Sequence, residues 1–241
     1  MLARDLRIVV KGPSCSTCQA KPFCLQSVCS GELCNTFKRA IRTKGPFQKG
    51  DLIYRAGMPF TTLYMIQRGS VKTQICTVNG VMEVTGFYLF GELLGVDAFA
   101  CDTYPADAMA LEECWVCELS YDQIKAMCNA CTDFQQGLMT RLGRTLNSDV
   151  YQWALARNLK AKQKVAWFIF DLFKRTRVRY ASDLRTIPLP MLKTDIANYL
   201  GLAPESLSRA LLALEKEGMI VNEAKHIYLS DIQKAQSLSM I

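Results

Sequence analysis

The sequence predicts an α+β protein: an N-terminal β-roll (a jelly roll), then a long dimerisation helix, then a C-terminal winged helix-turn-helix. Three observations predict it. Short apolar runs punctuated by glycine fill the stretch from about Pro46 to Leu119. Apolar residues take helical spacing from Tyr121. Two helical patterns joined by a tight turn, with two short strands behind them, occupy the last fifty residues.

The roll is read from Leu52-Ile53-Tyr54, Leu63-Tyr64-Met65-Ile66 and Val71-Lys72-Thr73-Gln74-Ile75, separated by Gly50, Gly57, Gly69, Gly80, Gly86, Gly91 and Gly95. Runs of strand length between turn glycines indicate an all-β unit. In the helix that follows, Met139, Leu142, Leu146, Asp149 and Trp153 step by three and four residues, an a/d seam over two heptads. Such a seam fits either a helix lying on its own domain or a dimer contact. Asp149 favours the dimer, because an acid among apolar seam residues suits a contact meant to be marginal. Lys162 to Phe173 is a further helix with an apolar face.

The helix-turn-helix runs from Leu192 to Leu200, turns through Gly201-Leu202-Ala203 and continues from Pro204 to Glu215. Gly201 suits the end of the first helix and Pro204 the first position of the second. Ile196, Leu200, Leu207 and Leu211 turn apolar faces to a shared core. Met219-Ile220-Val221 and His226-Ile227-Tyr228-Leu229 flank Asn222-Glu223-Ala224-Lys225 as a hairpin wing. Charge supports a double-stranded DNA partner. Residues 157–241 hold 14 Lys/Arg against 8 Asp/Glu, whereas residues 1–156 hold 15 against 14. On the second helix Glu205, Ser208 and Arg209 are expected to meet base edges, since Glu accepts from cytosine and Arg bridges guanine O6 and N7. Lys193 is expected at phosphate.

Cysteine dominates the N-terminus. Cys15, Cys18 and Cys24 form C-x2-C-x5-C, and Cys117 lies far downstream in a V-C-E-L phrase. Thiolates so spaced hold zinc or an iron–sulfur cluster. The chain has eleven cysteines, an odd number, and no apolar run of membrane-spanning length. Phe87 to Cys101, the nearest, is interrupted by Glu92 and Asp97. The charged start lacks the apolar core of a signal peptide. A cytoplasmic protein with reduced thiols and no membrane partner is expected.

The C-x2-C-x5-C, the later cysteine, Thr85-Gly86-Phe87, Gly91-Glu92-Leu93-Leu94-Gly95, and Asp195 to Leu202 followed by Glu205-x-x-Ser208-Arg209 together resemble the oxygen-sensing FNR branch of the CRP/FNR superfamily. The likeness runs from about Cys15 to Leu229. It implies a roll of the cyclic-nucleotide-binding type. It also implies a [4Fe-4S] cluster on Cys15, Cys18, Cys24 and Cys117, and a homodimer when that cluster is intact. The same resemblance assigns Glu205, Ser208 and Arg209 to a half-site like TTGAT. It matches Asp149 to an acid of the dimer helix. RNA polymerase is implied as a partner that touches the roll near Glu83 to Phe87.

The expected divisions are 1–35 for the cysteine segment, read as loop-like, 36–133 for the roll, 134–160 for the dimerisation helix and 161–241 for the DNA-binding domain. Ser16, Thr17, Gln19 and Phe23 are expected to tune access to the cluster. Cys76, Cys101, Cys114, Cys128 and Cys131 are read as buried small thiols. Three other functions are disfavoured. A cyclic nucleotide needs an Arg-Ser or Arg-Thr pair, and Tyr104 to Met109 offers Asp107 instead. Haem is disfavoured because His226, the single histidine, sits in the wing. No catalytic constellation of an enzyme is present. The remaining alternative is a zinc-stabilised, non-redox regulator using Cys15/Cys18 with Cys128/Cys131.

Overall fold

The structure, a computed structural model, describes Cys15 and residues 18–29, 31–180 and 185–239. Two short 3-10 turns, Lys21–Phe23 and Leu25–Val28, precede helix α1 (Gly31–Ala40). The roll strands are β1 (Arg42–Phe47), β2 (Leu52–Tyr54), β3 (Thr62–Arg68), β4 (Ser70–Cys76), β5 (Met82–Leu89), β6 (Leu93–Leu94), β7 (Asp107–Ala110) and β8 (Cys114–Ser120). Helices α2 (Tyr121–Ala130), α3 (Thr132–Asn158) and α4 (Ala161–Tyr180) follow. Then come β9 (Thr186–Pro188), α5 (Lys193–Tyr199), α6 (Pro204–Lys216), β10 (Ile220–Asn222), β11 (His226–Leu229) and α7 (Ile232–Ser239).

The roll is two antiparallel sheets, β1-β8-β3-β6 and β2-β7-β4-β5. Strand alternation explains its two cores. Tyr64, Ile66, Cys114 and Val116 point between the sheets, against Ile53, Tyr54 and Val71. Their neighbours Leu63, Met65, Cys117 and Leu119 point outward and pack under Phe37 of α1, Ile124 and Met127 of α2, and Phe134 and Leu138 of α3. Helix α2 starts at a capping box of Ser120 and Gln123.

The third core belongs to the C-terminal domain, where Ile196, Leu200, Leu207 and Leu211 are all buried. After α5, Gly201 adopts φ +61°, donates to the Asn198 carbonyl at 3.0 Å, and Leu202 donates to the Ala197 carbonyl at 2.9 Å. This is a Schellman closure, which requires the left-handed conformation that glycine supplies. The wing pairs Ile220 with Leu229, as the hairpin pattern predicts, and β9 adds an unforeseen third strand through Ile227 and Ile187.

Two expectations are corrected. The cysteine segment is not loop-like to residue 35: α1 begins at Gly31 and carries Cys34. Among its described side chains only Phe37 is large and buried, and a single apolar position sets no helical period. Helix α4 reaches Tyr180, seven residues past Phe173. Its second half is rich in arginine and resembles a solvated face, yet Arg175 and Arg179 pair with Glu92 of the roll.

Candidate functional site

Cys24 caps the 3-10 turn Leu25–Val28, its sulfur accepting the Gln26 N–H at 3.2 Å. Cys117 projects from the outer face of β8. Both are buried, at 4% and 3% exposure, while Cys15 and Cys18 are half-buried. All four meet. The Cys117 thiol is pushed up by burial and then by Cys15, Cys24 and Cys18, each close enough for its charge to be felt. Burial raises Cys24 to about 12, with Cys18 and Cys15 adding to the shift. Cys15 is raised by burial and by Cys18, with Lys38 opposing. Burial disfavours the thiolate at these positions, a cost that a bound cation would have to offset. Among the described residues no three ligand side chains stand at closed metal-binding spacing. The donor set is all sulfur, with no imidazole or carboxylate in it, and suits a soft metal or an iron–sulfur centre.

The remaining cysteines separate. Cys114 and Cys117 are three apart on one strand, so they face opposite sides, and Cys114 lies inside the roll core. Cys114 fits the buried-thiol reading. Cys76 and Cys101 do not: both are exposed. Each sits at the end of its element, where the chain turns away from the core. Cys128 and Cys131 are half-buried. The neighbours of Cys29 are Cys34 and Cys131.

The N-terminal segment is held by distant side chains. Arg141 of α3 donates from Nη2 to the Cys24 carbonyl at 2.8 Å, to the Ser27 hydroxyl at 3.0 Å and to the Phe23 carbonyl at 3.3 Å. Phe23 meets Phe90 edge-on at 6.3 Å and lies under the Arg179 guanidinium at 5.5 Å. Ser16 and Thr17 lie outside the described residues; Gln19 is exposed and Phe23 half-buried.

On α3, Met139 is 60% exposed and Leu146 66%, and Val150, absent from the predicted seam, is 57% exposed. Leu142 differs: it is half-buried against the core beneath sheet β1-β8-β3-β6. Asp149 and Trp153 lie on α3, with side chains outside the described part.

The reading helix α6 leaves Glu205, Ser208 and Arg209 exposed on one face. The Ser208 hydroxyl donates to the Pro204 carbonyl at 3.0 Å, and Arg209 Nε donates to the Glu205 carbonyl at 3.4 Å. Lys193 is exposed at the start of α5. The rest of α5 docks on the roll. Asp195 pairs with Lys72 at 2.7 Å, and Asn198 accepts the Val84 N–H at 2.6 Å and donates to the Met82 carbonyl at 3.1 Å. Tyr199 packs on Phe87, which is also edge-on to Phe168. Within the stretch Glu83 to Phe87, therefore, Phe87 is buried and Thr85 is exposed. Sequence reasoning missed this docking, since polar partners more than a hundred residues apart leave no local pattern.

Glu92 joins the roll to α4. Arg175 and Arg179 each approach it at 2.6 Å, and the Leu89 N–H donates to it at 2.9 Å. Burial pushes its carboxyl up, but the two arginines outweigh burial and hold it below the usual carboxylate range. A cavity of about 800 Å³ lies where roll, α3 and C-terminal domain meet, with Glu83, Asp97, Leu146 and Tyr199 among its lining.

No described helix is long and apolar enough to cross a membrane. Residues 44–131 match the cyclic nucleotide-binding domain family, and residues 163–236 the Crp-like helix-turn-helix domain family. The chain is 30% identical to the transcriptional activator protein anr of Pseudomonas aeruginosa, over 90% of this chain and 88% of that protein. It is 30% identical to the fumarate and nitrate reduction regulatory protein of Escherichia coli K12, over 90% of this chain and 86% of that protein. The structure of FixK2 from Bradyrhizobium japonicum superposes with a TM-score of 0.73 at 22% identity, covering 83% of this chain and 97% of that one. Identity at this level across both domains, with the roll and winged helix in the same order, shows that the chain belongs to the FNR branch of the CRP/FNR superfamily of DNA-binding transcription regulators, and is not an enzyme.

Proposed function

We propose that the chain is an iron–sulfur-dependent regulator of the anaerobic response that senses oxygen through a [4Fe-4S] cluster and binds palindromic DNA as a homodimer. The observation that carries this is that Cys15, Cys18 and Cys24 lie within electrostatic range of Cys117, on the outer face of β8, so that the four sulfurs would hold the cluster. When bound, the cluster supplies an oxygen-reactive iron–sulfur core. The chain does the rest. Burial of Cys24 and Cys117 limits water at two ligands, while half-buried Cys15 and Cys18 leave an approach for a small oxidant. The relatives named for activation and for fumarate and nitrate reduction support an anaerobic role.

Met139, Leu142, Leu146, Asp149 and Trp153, with Val150, would form the dimer seam on α3. Two Asp149 carboxylates brought together repel, which keeps the dimer marginal. Two copies of α6 would then read successive major grooves through Glu205, Ser208 and Arg209, with Lys193 on phosphate. RNA polymerase would meet the bound dimer, with Thr85 the exposed residue of the Glu83–Phe87 stretch. A cyclic nucleotide is disfavoured on charge. Asp107 caps the Ala56 N–H at 2.8 Å, Glu92 is already paired with two arginines, and Glu83 and Asp97 line the cavity.

Anaerobic purification with metal and sulfide counts tests the reading. About four iron and four sulfide per chain are expected. Cys15→Ser, Cys18→Ser, Cys24→Ser and Cys117→Ser should each lose them, and Cys76→Ser should not. Colourless protein carrying one zinc would replace this reading with the zinc-stabilised regulator. Sedimentation tests the seam: Asp149→Ala should remain dimeric in air, and Leu146→Asp should be monomeric even without air.

A further inference from the structure

We propose that Arg141 is the positioning residue that seats the Cys24 segment on the dimerisation helix, in a notch left open by Gly137. The Arg141 fork reaches the segment at three acceptors, the Phe23 and Cys24 carbonyls and the Ser27 hydroxyl, and Nη1 braces on the Gly137 carbonyl of its own helix at 3.1 Å. A planar fork can serve several acceptors at once; an ammonium presents a single point of charge. One turn back, Val28 lies so close to Gly137 that a Cβ there would meet its Cγ2 at 2.7 Å. Any side chain at position 137 would wedge the segment off the helix.

The placement around α3 gives the contact its consequence. At about 100° per residue, Gly137 and Arg141 share one face of the helix. Met139, Leu146 and Val150 lie about 180° away by the same spacing, which is where they are exposed. Phe134, Leu138 and Leu142 fill the face between, against the roll. Helix α3 is thus a plate with the cysteine segment on one side and the apolar ridge on the other. Seating the segment fixes the helix against the roll and so fixes the direction in which the ridge faces a second copy. The link to dimerisation rests on the cluster reading above; the seating of Cys24 does not.

The test uses the full chain under reducing, iron-chelated conditions. Alkylation by iodoacetamide is followed residue by residue, with exposed Cys76 as the reference and Cys114, inside the roll, as the control for global unfolding. Arg141→Ala should speed labelling of Cys24 relative to Cys76 by about ten- to a hundredfold, the factor expected when charge-assisted hydrogen bonds are lost. Cys114 should be unchanged, and Arg141→Lys should recover only part of the protection. Gly137→Ala is the second variant: it improves helix propensity, so its own helix is not weakened, yet it should expose Cys24 in the same way. In iron-loaded protein it should also weaken the dimer in sedimentation, although the ridge is untouched. Unchanged Cys24 labelling in both variants overturns the proposal, and does so even if the parent protein holds its iron. Faster labelling in a protein that never holds iron supports the seating and removes the cluster reading instead.

Discussion

The two ends of the chain are held in opposite ways. The C-terminal domain has a core drawn mainly from its own elements: α4, α5, α6 and the wing bury Leu207 and Leu214 together, and the turn between α5 and α6 is closed by local hydrogen bonds. Among its described residues the cysteine segment buries little beyond Ala20, Cys24, Leu25 and Gln26. Its polar restraints come from Arg141, more than a hundred residues away, and its fourth thiol from β8. A region of the first kind finds most of its partners within its own domain. A region of the second kind is ordered only when the rest of the molecule is assembled around it, which suits a part meant to respond to a ligand.

The strongest way to break this comparison is to cut the joint between the regions. Glu92→Ala leaves Arg175 and Arg179 partly buried without their carboxylate, and should cost about 3–5 kcal/mol in chemical denaturation. The same contact sets an acid limit. Because the folded Glu92 carboxyl lies below its unfolded value, its stabilisation is complete above the ordinary carboxylate range. It is lost as pH falls through the depressed value. Glu92→Gln should flatten that limb of the stability–pH curve, and an unaltered limb would show that other acids govern it.

Next in size, Leu214→Ala should cost about 2–5 kcal/mol by opening a cavity in the reader's core, without changing iron content. Iron loss in that variant would mean the two ends are less separate than their packing indicates. Arg209→Ala should cost about 1–3 kcal/mol at a specific site and relax base preference in a competition assay. Equal loss on every sequence would move Arg209 to the phosphates. The smallest effect is expected from Lys193→Ala, which should weaken binding to all sequences alike and lower the salt slope by about one.

Much of the fold was legible because period and capping are local signals. Glycine-bounded runs marked the roll, Gly201 and Pro204 the turn, and Met139 with Leu146 the exposed ridge. The site was legible in part. The spacing of Cys15, Cys18 and Cys24 marked a thiolate site, and Cys117 was attached to it by family resemblance. The odd interval between Cys114 and Cys117 could have shown that a strand would separate them. Cys76 and Cys101 were misread because exposure depends on where an element ends, which composition does not report. Arg175, Arg179, Asp195 and Asn198 looked like surface residues, since each is polar in a polar run, and it is their partners on the roll that make them structural.

The sequence by itself determined the order of roll, helix and winged helix-turn-helix, the exposed polar face of α6 and the C-x2-C-x5-C spacing at the N-terminus. These depend on periodicity, turn chemistry and side-chain type, which act over a few residues. Only the tertiary structure decided that Cys117 faces the N-terminal thiols, that Arg141 and Gly137 form the seat for Cys24, and that α5 and α4 lock onto β5 and Glu92. Each of those joins residues from about eighty to more than a hundred positions apart, and such pairings are chosen by the packing of whole sheets and helices, a choice that no local pattern encodes.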